Sequence, residues 1–129
     1  MTWAKAKEFC ETYGMHLASP KTIEEIKGVR SLALRMGTKY YYWWVSPSNV
    51  GQSSPGDFRW HDMTKLPIDS PLWSNSQPND YFGTAESTCG YFHSDADLQP
   101  FLERLLDGPC TKSNNFVCEV PAKCLYLNI

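Results

Sequence analysis

The chain has few of the features that mark membrane, nucleic-acid or phosphate-binding proteins. No apolar run in its 129 residues approaches the roughly 20 residues that a membrane-spanning helix needs. The net charge is only −2 and lysine and arginine form no cluster, which argues against a nucleic-acid surface or an anionic membrane as partner. Glycine-rich phosphate loops and zinc-ligand spacings are also absent. We therefore expect neither a nucleic-acid partner nor a membrane span.

The cysteines lack the C-x-x-C spacing of redox and zinc motifs, yet they are numerous for one small domain. Five cysteines in a chain of this length indicate disulfides and an oxidising compartment, so we expect a secreted or extracellular protein. The residues after Met1 do not form a secretory signal, and no N-glycosylation sequon occurs, so this expectation depends on the cysteines alone. Spacing leaves the pairing open.

Two short amphipathic helices are predicted in the first third of the chain. Thr2 is a candidate N-cap for the first helix, and Gly14 supplies its left-handed end. The second helix begins at a capping box formed by Thr22 and Glu25, and Gly37 ends it. Neither helix carries a candidate site.

The rest of the chain is predicted to be strands around a long loop. Residues 64–88 show no periodicity, and an irregular stretch of that length in a compact domain is usually functional. Apolar residues from Leu98 to Leu106 repeat at helical spacing and predict one or two helical turns. Strand-like segments cover residues 39–45, 58–62, 89–93 and 115–120. The pattern predicts an α+β domain, with two helices packed on small antiparallel sheets and a long irregular loop region.

Oxygen-bearing side chains are concentrated around Pro78. A cis bond at Pro78 would turn the carbonyl oxygens of Gln77 and Asn79 toward one point. Carboxylates follow at Glu86 and Asp107. Because Ca²⁺ takes roughly six to eight oxygen ligands, this set predicts a ligand-binding site with no reaction attached.

Four motifs, in this order along residues 1–120, resemble the C-type lectin family. They are the opening Met1–Cys10 with Gly14–Ser19, Gln77-Pro78-Asn79, Asp107-Gly-Pro-Cys110 and Asn115-Phe-Val-Cys118-Glu119. The resemblance implies a disulfide-stapled C-type lectin-like fold that recognises carbohydrate and is not an enzyme. The histidines, which are His16, His61 and His93, lie in or beside strand-like segments and are expected to be structural.

The resemblance also implies a disulfide pairing and a site. The bridges would be Cys10–Cys118 and Cys89–Cys110, leaving Cys124 either as a free thiol or as a link to another chain. Trp73 would contribute to the glycan surface. The residues expected to hold Ca²⁺ and glycan together are Gln77, Asn79, Glu86 and Asp107. The hybrid triplet does not choose between mannose-type and galactose-type sugars.

Three departures from the family pattern favour a second hypothesis. Leu106 stands where the family has an Asn ligand, Gln77 is neutral where many members have Glu, and Glu86 lies one residue further from Cys89 than expected. Losing oxygen and charge weakens a calcium cage. The alternative is a calcium-independent lectin-like domain that recognises a protein partner through the same loops.

The two ends of the domain carry a separate expectation. The chain begins at a helix where family members have a preceding strand, and residues 121–129 form an apolar tail. We expect Leu125–Ile129 to cover the vacant sheet edge or to leave it open for another chain.

Overall fold

The computed structural model describes residues 1–37, 42–83, 86–94 and 103–121. Within these ranges the chain forms two α-helices, one short 3₁₀ helix and eight strands. The helices are α1 (Trp3–Thr12), α2 (Ile23–Arg35) and the 3₁₀ helix (Asp80–Phe82). The strands are β1 (His16–Leu17), β2 (Tyr42–Ser48), β3 (Phe58–Arg59), β4 (Lys65–Leu66), β5 (Thr88–His93), β6 (Leu106–Pro109), β7 (Asn115–Phe116) and β8 (Cys118–Glu119). The predicted α+β class is confirmed.

The helix boundaries follow the predicted capping chemistry. The Thr2 hydroxyl accepts a hydrogen bond from the Lys5 amide at 3.4 Å. The Thr22 hydroxyl accepts from the Glu25 amide at 3.1 Å and lies 3.3 Å from the Glu25 carboxylate, to which it donates. Each cap satisfies an amide that the first turn of a helix leaves without an intrahelical partner.

Strand β2 is the centre of the larger sheet. The order is β4-β3-β2-β5-β6, with β7 running parallel to β2. In the antiparallel β5–β6 pair, Gly90 lies opposite Asp107 and Tyr91 opposite Leu106. This register places Asp107 on β6 beside the 3₁₀ helix that follows Asn79. A second sheet pairs β1 with β8.

Two disulfides close the fold in the predicted pattern. Cys10–Cys118 joins α1 to β8, with the Cα atoms 5.6 Å apart. Cys89–Cys110 joins β5 to the turn after β6, with the Cα atoms 5.1 Å apart. The first bridge is packed among the buried residues Trp3, Leu17 and Trp44.

The helical prediction before β6 is wrong where the structure describes it. Leu105 forms a parallel bridge with Trp73, and Leu106 begins strand β6. Both side chains are buried, so the apolar run reflects pairing with the loop and with β5 rather than a helical stripe. Leu98, Cys124 and Leu125–Ile129 lie outside the described residues, so the predictions for them stay predictions.

Candidate functional site

The long loop is anchored from inside by Trp73. Its side chain is 5% exposed, its indole Nε1 donates to the Pro67 carbonyl at 3.0 Å, and its ring meets Phe58 edge-on at 5.1 Å. The Leu105 amide donates to the Leu72 carbonyl at 2.8 Å, which ties the loop to the segment before β6. The structure therefore buries most of Trp73 beneath the loop, where its side chain also lines the groove beside Gln77.

The turn that carries the candidate ligands follows directly. The Gln77–Pro78 peptide bond is cis, and the Gln77 amide donates to the Ser74 carbonyl at 2.9 Å. Asn79 is exposed and precedes the 3₁₀ helix. Gln77 and Asn79 thus lie at the end of the loop closest to β6.

Asp107 joins this turn to the sheet. Its Oδ1 accepts hydrogen bonds from the Asn79 amide at 2.8 Å and from the Asp80 amide at 3.1 Å. In return, the Asp107 amide donates to Oε1 of Gln77 at 3.3 Å. We call these three hydrogen bonds the Asp107 latch. The structure brings together three of the predicted residues, which are Gln77, Asn79 and Asp107.

The two carboxylate oxygens of Asp107 differ in their hydrogen bonding. The side chain is only 2% exposed, and Oδ2 is buried with no hydrogen-bond partner in the described part of the chain. A buried oxygen of this kind is costly unless something compensates it. One carboxylate oxygen therefore lacks a compensating partner on the residue that is bonded to Gln77 and Asn79.

Asp80 is a second acidic residue at the site that sequence reasoning missed. Burial raises the pKa of its carboxyl, and the negative charge of Asp107 raises it further, while Lys112 opposes both. Gly108 leaves room for the Tyr91 ring, since a Cβ built there would lie 3.1 Å from Tyr91 Cε1, whereas Asp80 Oδ2 would be at an ordinary contact distance of 3.9 Å. Burial likewise raises the pKa of the Tyr91 phenol. The sequence signal that could have identified Asp80 is its position as an acidic residue directly after Asn79.

The remaining residues named for the site in the sequence analysis are Glu86 and Leu106. Glu86 is exposed and lies two residues before β5. Among the described residues, no three side chains of His, Cys, Asp or Glu are grouped closely enough to hold a metal ion, so Glu86 does not complete such a cluster with Asp80 and Asp107. Leu106 is 7% exposed and packs in the sheet.

The surface around the turn includes an exposed aromatic side chain and a groove. Phe82, at the end of the 3₁₀ helix, is 71% exposed and meets Tyr81 edge-on at 5.0 Å. A groove of about 590 Å³ opens beside Gln77, between the loop and Arg104. An aromatic pair directly after Asp80 was a visible sequence signal for this surface.

The histidines provide no catalytic pair at this turn. His16 and His61 stack with ring centroids 4.1 Å apart, and His16 Nε2 lies 3.4 Å from a Glu119 carboxylate oxygen. Burial and the neighbouring His16 lower the pKa of His61. His93 is buried on β5. In the described part of the chain no helix is long and apolar enough to cross a membrane.

Comparisons with known proteins agree with this architecture. The chain is 29% identical to the bovine secretory phospholipase A2 receptor over 122 residues, which is 93% of this chain but 8% of the receptor. It is 32% identical to the beta subunit of the snaclec botrocetin from Bothrops jararaca over 124 residues, covering 95% of this chain and 84% of that subunit. The chain thus spans less than a tenth of the receptor's length.

A solved structure and a family model both match this chain over most of its length. The C-type lectin TC14 from the tunicate Polyandrocarpa misakiensis superposes with a TM-score of 0.73 at 26% identity, covering 94% of this chain and 92% of that one. The model of the family described as "Lectin C-type domain" matches residues 1–120. Together with the two disulfides and the order of helices and strands, this match shows that the chain belongs to the C-type lectin domain family.

Proposed function

We propose that this domain is a non-catalytic, extracellular recognition module that binds glycan at the turn formed by Gln77, Asn79 and Asp107. The observation that carries the proposal is the buried Oδ2 of Asp107, which has no partner in the described chain and lies on the residue that the latch ties to Gln77 and Asn79. The family membership and the two disulfides support a recognition role outside the cell.

The donor set fits a calcium ion in part. Asp107 and Asp80 supply carboxylate oxygens, and Gln77 and Asn79 supply amide oxygens, which are the hard ligands that Ca²⁺ prefers. Leu106 contributes no side-chain oxygen, and Oε1 of Gln77 is shared with the Asp107 amide. A bound calcium ion would supply positive charge for sugar hydroxyls. With so few ligands, we expect affinity near the millimolar end of the range for extracellular sites.

The chain's own residues orient the ligand. The Asp107 latch holds the backbone of Asn79 and Asp80 against β6, so the exposed Asn79 side chain extends from a fixed backbone. Phe82 offers an exposed ring on which the apolar face of a sugar can pack. The Gln77 groove provides room for further sugar units.

Calorimetric titration tests this proposal. Calcium is titrated first, and mannose and galactose follow with and without chelator, on the wild-type domain and on Asn79→Ala. Asn114→Ala, which removes an amide side chain outside the loop and the groove, is the matched control. We expect sugar binding that Asn79→Ala abolishes and Asn114→Ala retains. Absence of heat with calcium to about millimolar concentration, together with absence of sugar binding, would exclude the lectin function.

A second candidate is recognition of a protein surface without calcium. Phe82, at 71% exposure, favours it, because exposed aromatic side chains often anchor protein interfaces. Leu106 no longer serves as an argument for that surface, since it is buried. Phe82→Ala separates the candidates: a several-fold loss of sugar affinity assigns the ring to glycan, and unchanged affinity assigns it to another partner. A covalent partner at Cys124 stays part of this second proposal.

A further inference from the structure

A cleft on the α1 side of the domain is independent of the glycan turn. It encloses about 370 Å³ between α1 and the β2–β3 segment, and it shares no lining residue with the Gln77 groove. Its apolar lining includes Trp3, Leu17 and Trp60, which are 7%, 1% and 4% exposed, and the accessible side chains of Val50 and Met63. Ligand pockets span roughly 300–1,000 Å³, so this α1 cleft has the size for a small molecule.

Most of the charges around the α1 cleft are already neutralised within the protein. Lys7 Nζ donates to both carboxylate oxygens of Glu11, at 3.0 and 3.2 Å. Arg59 donates from Nε and Nη2 to the two oxygens of Asp57, at 2.7 and 3.0 Å, and from Nη1 to the Met63 carbonyl at 3.1 Å. Neither cation is therefore free to recruit an anionic ligand.

Ser46 and His61, two other polar residues of the lining, also contact groups within the protein. The Ser46 hydroxyl accepts from the His61 amide at 3.0 Å and bonds to the Ser19 hydroxyl at 2.7 Å. The His61 ring stacks on His16. Because burial and His16 lower the pKa of His61, the imidazole is neutral at pH 7.

Glu8 is the exception. It lies on α1 beside the paired Lys7, is exposed, and has no ion pair in the described part of the chain. Lys7 is paired with Glu11, and Arg59 is paired with Asp57, which lies outside the lining, so Glu8 is the lining carboxylate left without an ion pair in the described part of the chain. We propose that the α1 cleft binds a small hydrophobic monocation of the arylalkylammonium class. Its apolar body lies on the Trp3 and Trp60 floor and its ammonium group is held by Glu8.

The test compares three probes of similar shape and different charge: 2-phenylethylammonium, 2-phenylethanol and 3-phenylpropionate. Binding is followed by tryptophan fluorescence, with amide chemical shifts to locate it. We expect affinity to fall in the order cation, neutral, anion, with shifts at Val50 and Met63 and not at Gln77. Equal affinities for the three probes, or shifts confined to Gln77, would overturn the proposal.

Substitutions separate the charge from the apolar lining. Glu8→Gln should lower the affinity for the ammonium probe by roughly two- to five-fold, the range for one exposed charge, and leave the alcohol unchanged. Glu24→Gln removes the same charge from α2, where the side chain is 86% exposed, and should change nothing. Met63→Gly suits the backbone at φ +71° and should weaken both probes. A Glu8→Gln domain that binds the ammonium as well as wild type refutes the assignment.

Discussion

Truncating the Asp107 side chain should destabilise the whole domain, because it removes two of the three hydrogen bonds of the latch, those accepted from the Asn79 and Asp80 amides. Asp107→Ala leaves the Asn79 and Asp80 amides without the Oδ1 atom that they contact at 2.8 and 3.1 Å. Hydrogen bonds to a charged group contribute roughly 1.5–3 kcal/mol each. Part of that loss is offset because the substitution also removes the desolvation cost of a carboxylate that is only 2% exposed.

We therefore expect the free energy of unfolding to fall by about 2–4 kcal/mol in Asp107→Ala, with a Tm lower by about 10 °C. Urea denaturation of the disulfide-intact domain measures it. Asp107→Asn keeps a carbonyl acceptor for both amides and should lose about half as much. Asp69→Ala, an exposed acidic residue of the same loop, should stay within about 0.5 kcal/mol of wild type. An Asp107→Ala domain as stable as wild type would refute the latch.

Two further predictions concern packing and pH. Gly90→Ala should lower the free energy of unfolding by about 1–3 kcal/mol in urea denaturation, because the added Cβ would lie 2.8 Å from Pro47 Cγ. Gly28→Ala, in helix α2 with nothing within 4 Å of the added Cβ, should raise it by about 0.5–1 kcal/mol. Equal changes in stability for the two variants would contradict the close approach of Gly90 to Pro47. The pKa of His61 is lower in the folded protein than in the unfolded chain, where it is about 6.5. As pH falls, the unfolded chain therefore protonates this imidazole first, and the stability of the fold falls from about pH 6.5 down through the pKa of the folded state. Urea midpoints at about pH 7.5 and 5 should differ less in His61→Gln, and an unchanged difference would assign the effect to other groups.

The sequence was informative where local chemistry decides the structure. The helix caps at Thr2 and Thr22 depend on short-range hydrogen bonds, and both formed as predicted. The family resemblance correctly paired Cys10 with Cys118, a contact across 108 residues that spacing alone could not assign. It also correctly paired Cys89 with Cys110.

Predictions failed or were incomplete where tertiary contacts decide the role of a side chain. The predicted contribution of Trp73 to a glycan surface stays a prediction, but the sequence did not show that its indole bonds inward to Pro67 while the ring lines the groove beside Gln77. Leu105 and Leu106 repeat at helical spacing, yet they pair with the loop and with β5. The bonding of Asp107 to the Asn79 and Asp80 amides depends on the β5–β6 register, which no local pattern encodes.

The most direct test of glycan recognition is amide chemical-shift mapping of the domain titrated with mannose and with galactose in calcium. Binding at the proposed turn should shift the amides of Asn79, Asp80 and Asp107, because the latch couples them, and that of Phe82, which lies in the adjoining 3₁₀ helix. It should leave Val50 in the α1 cleft unchanged. Chelator should reverse the shifts if calcium supplies the contact. Sugar-dependent shifts that lie elsewhere, or no shifts with either sugar, would contradict the account.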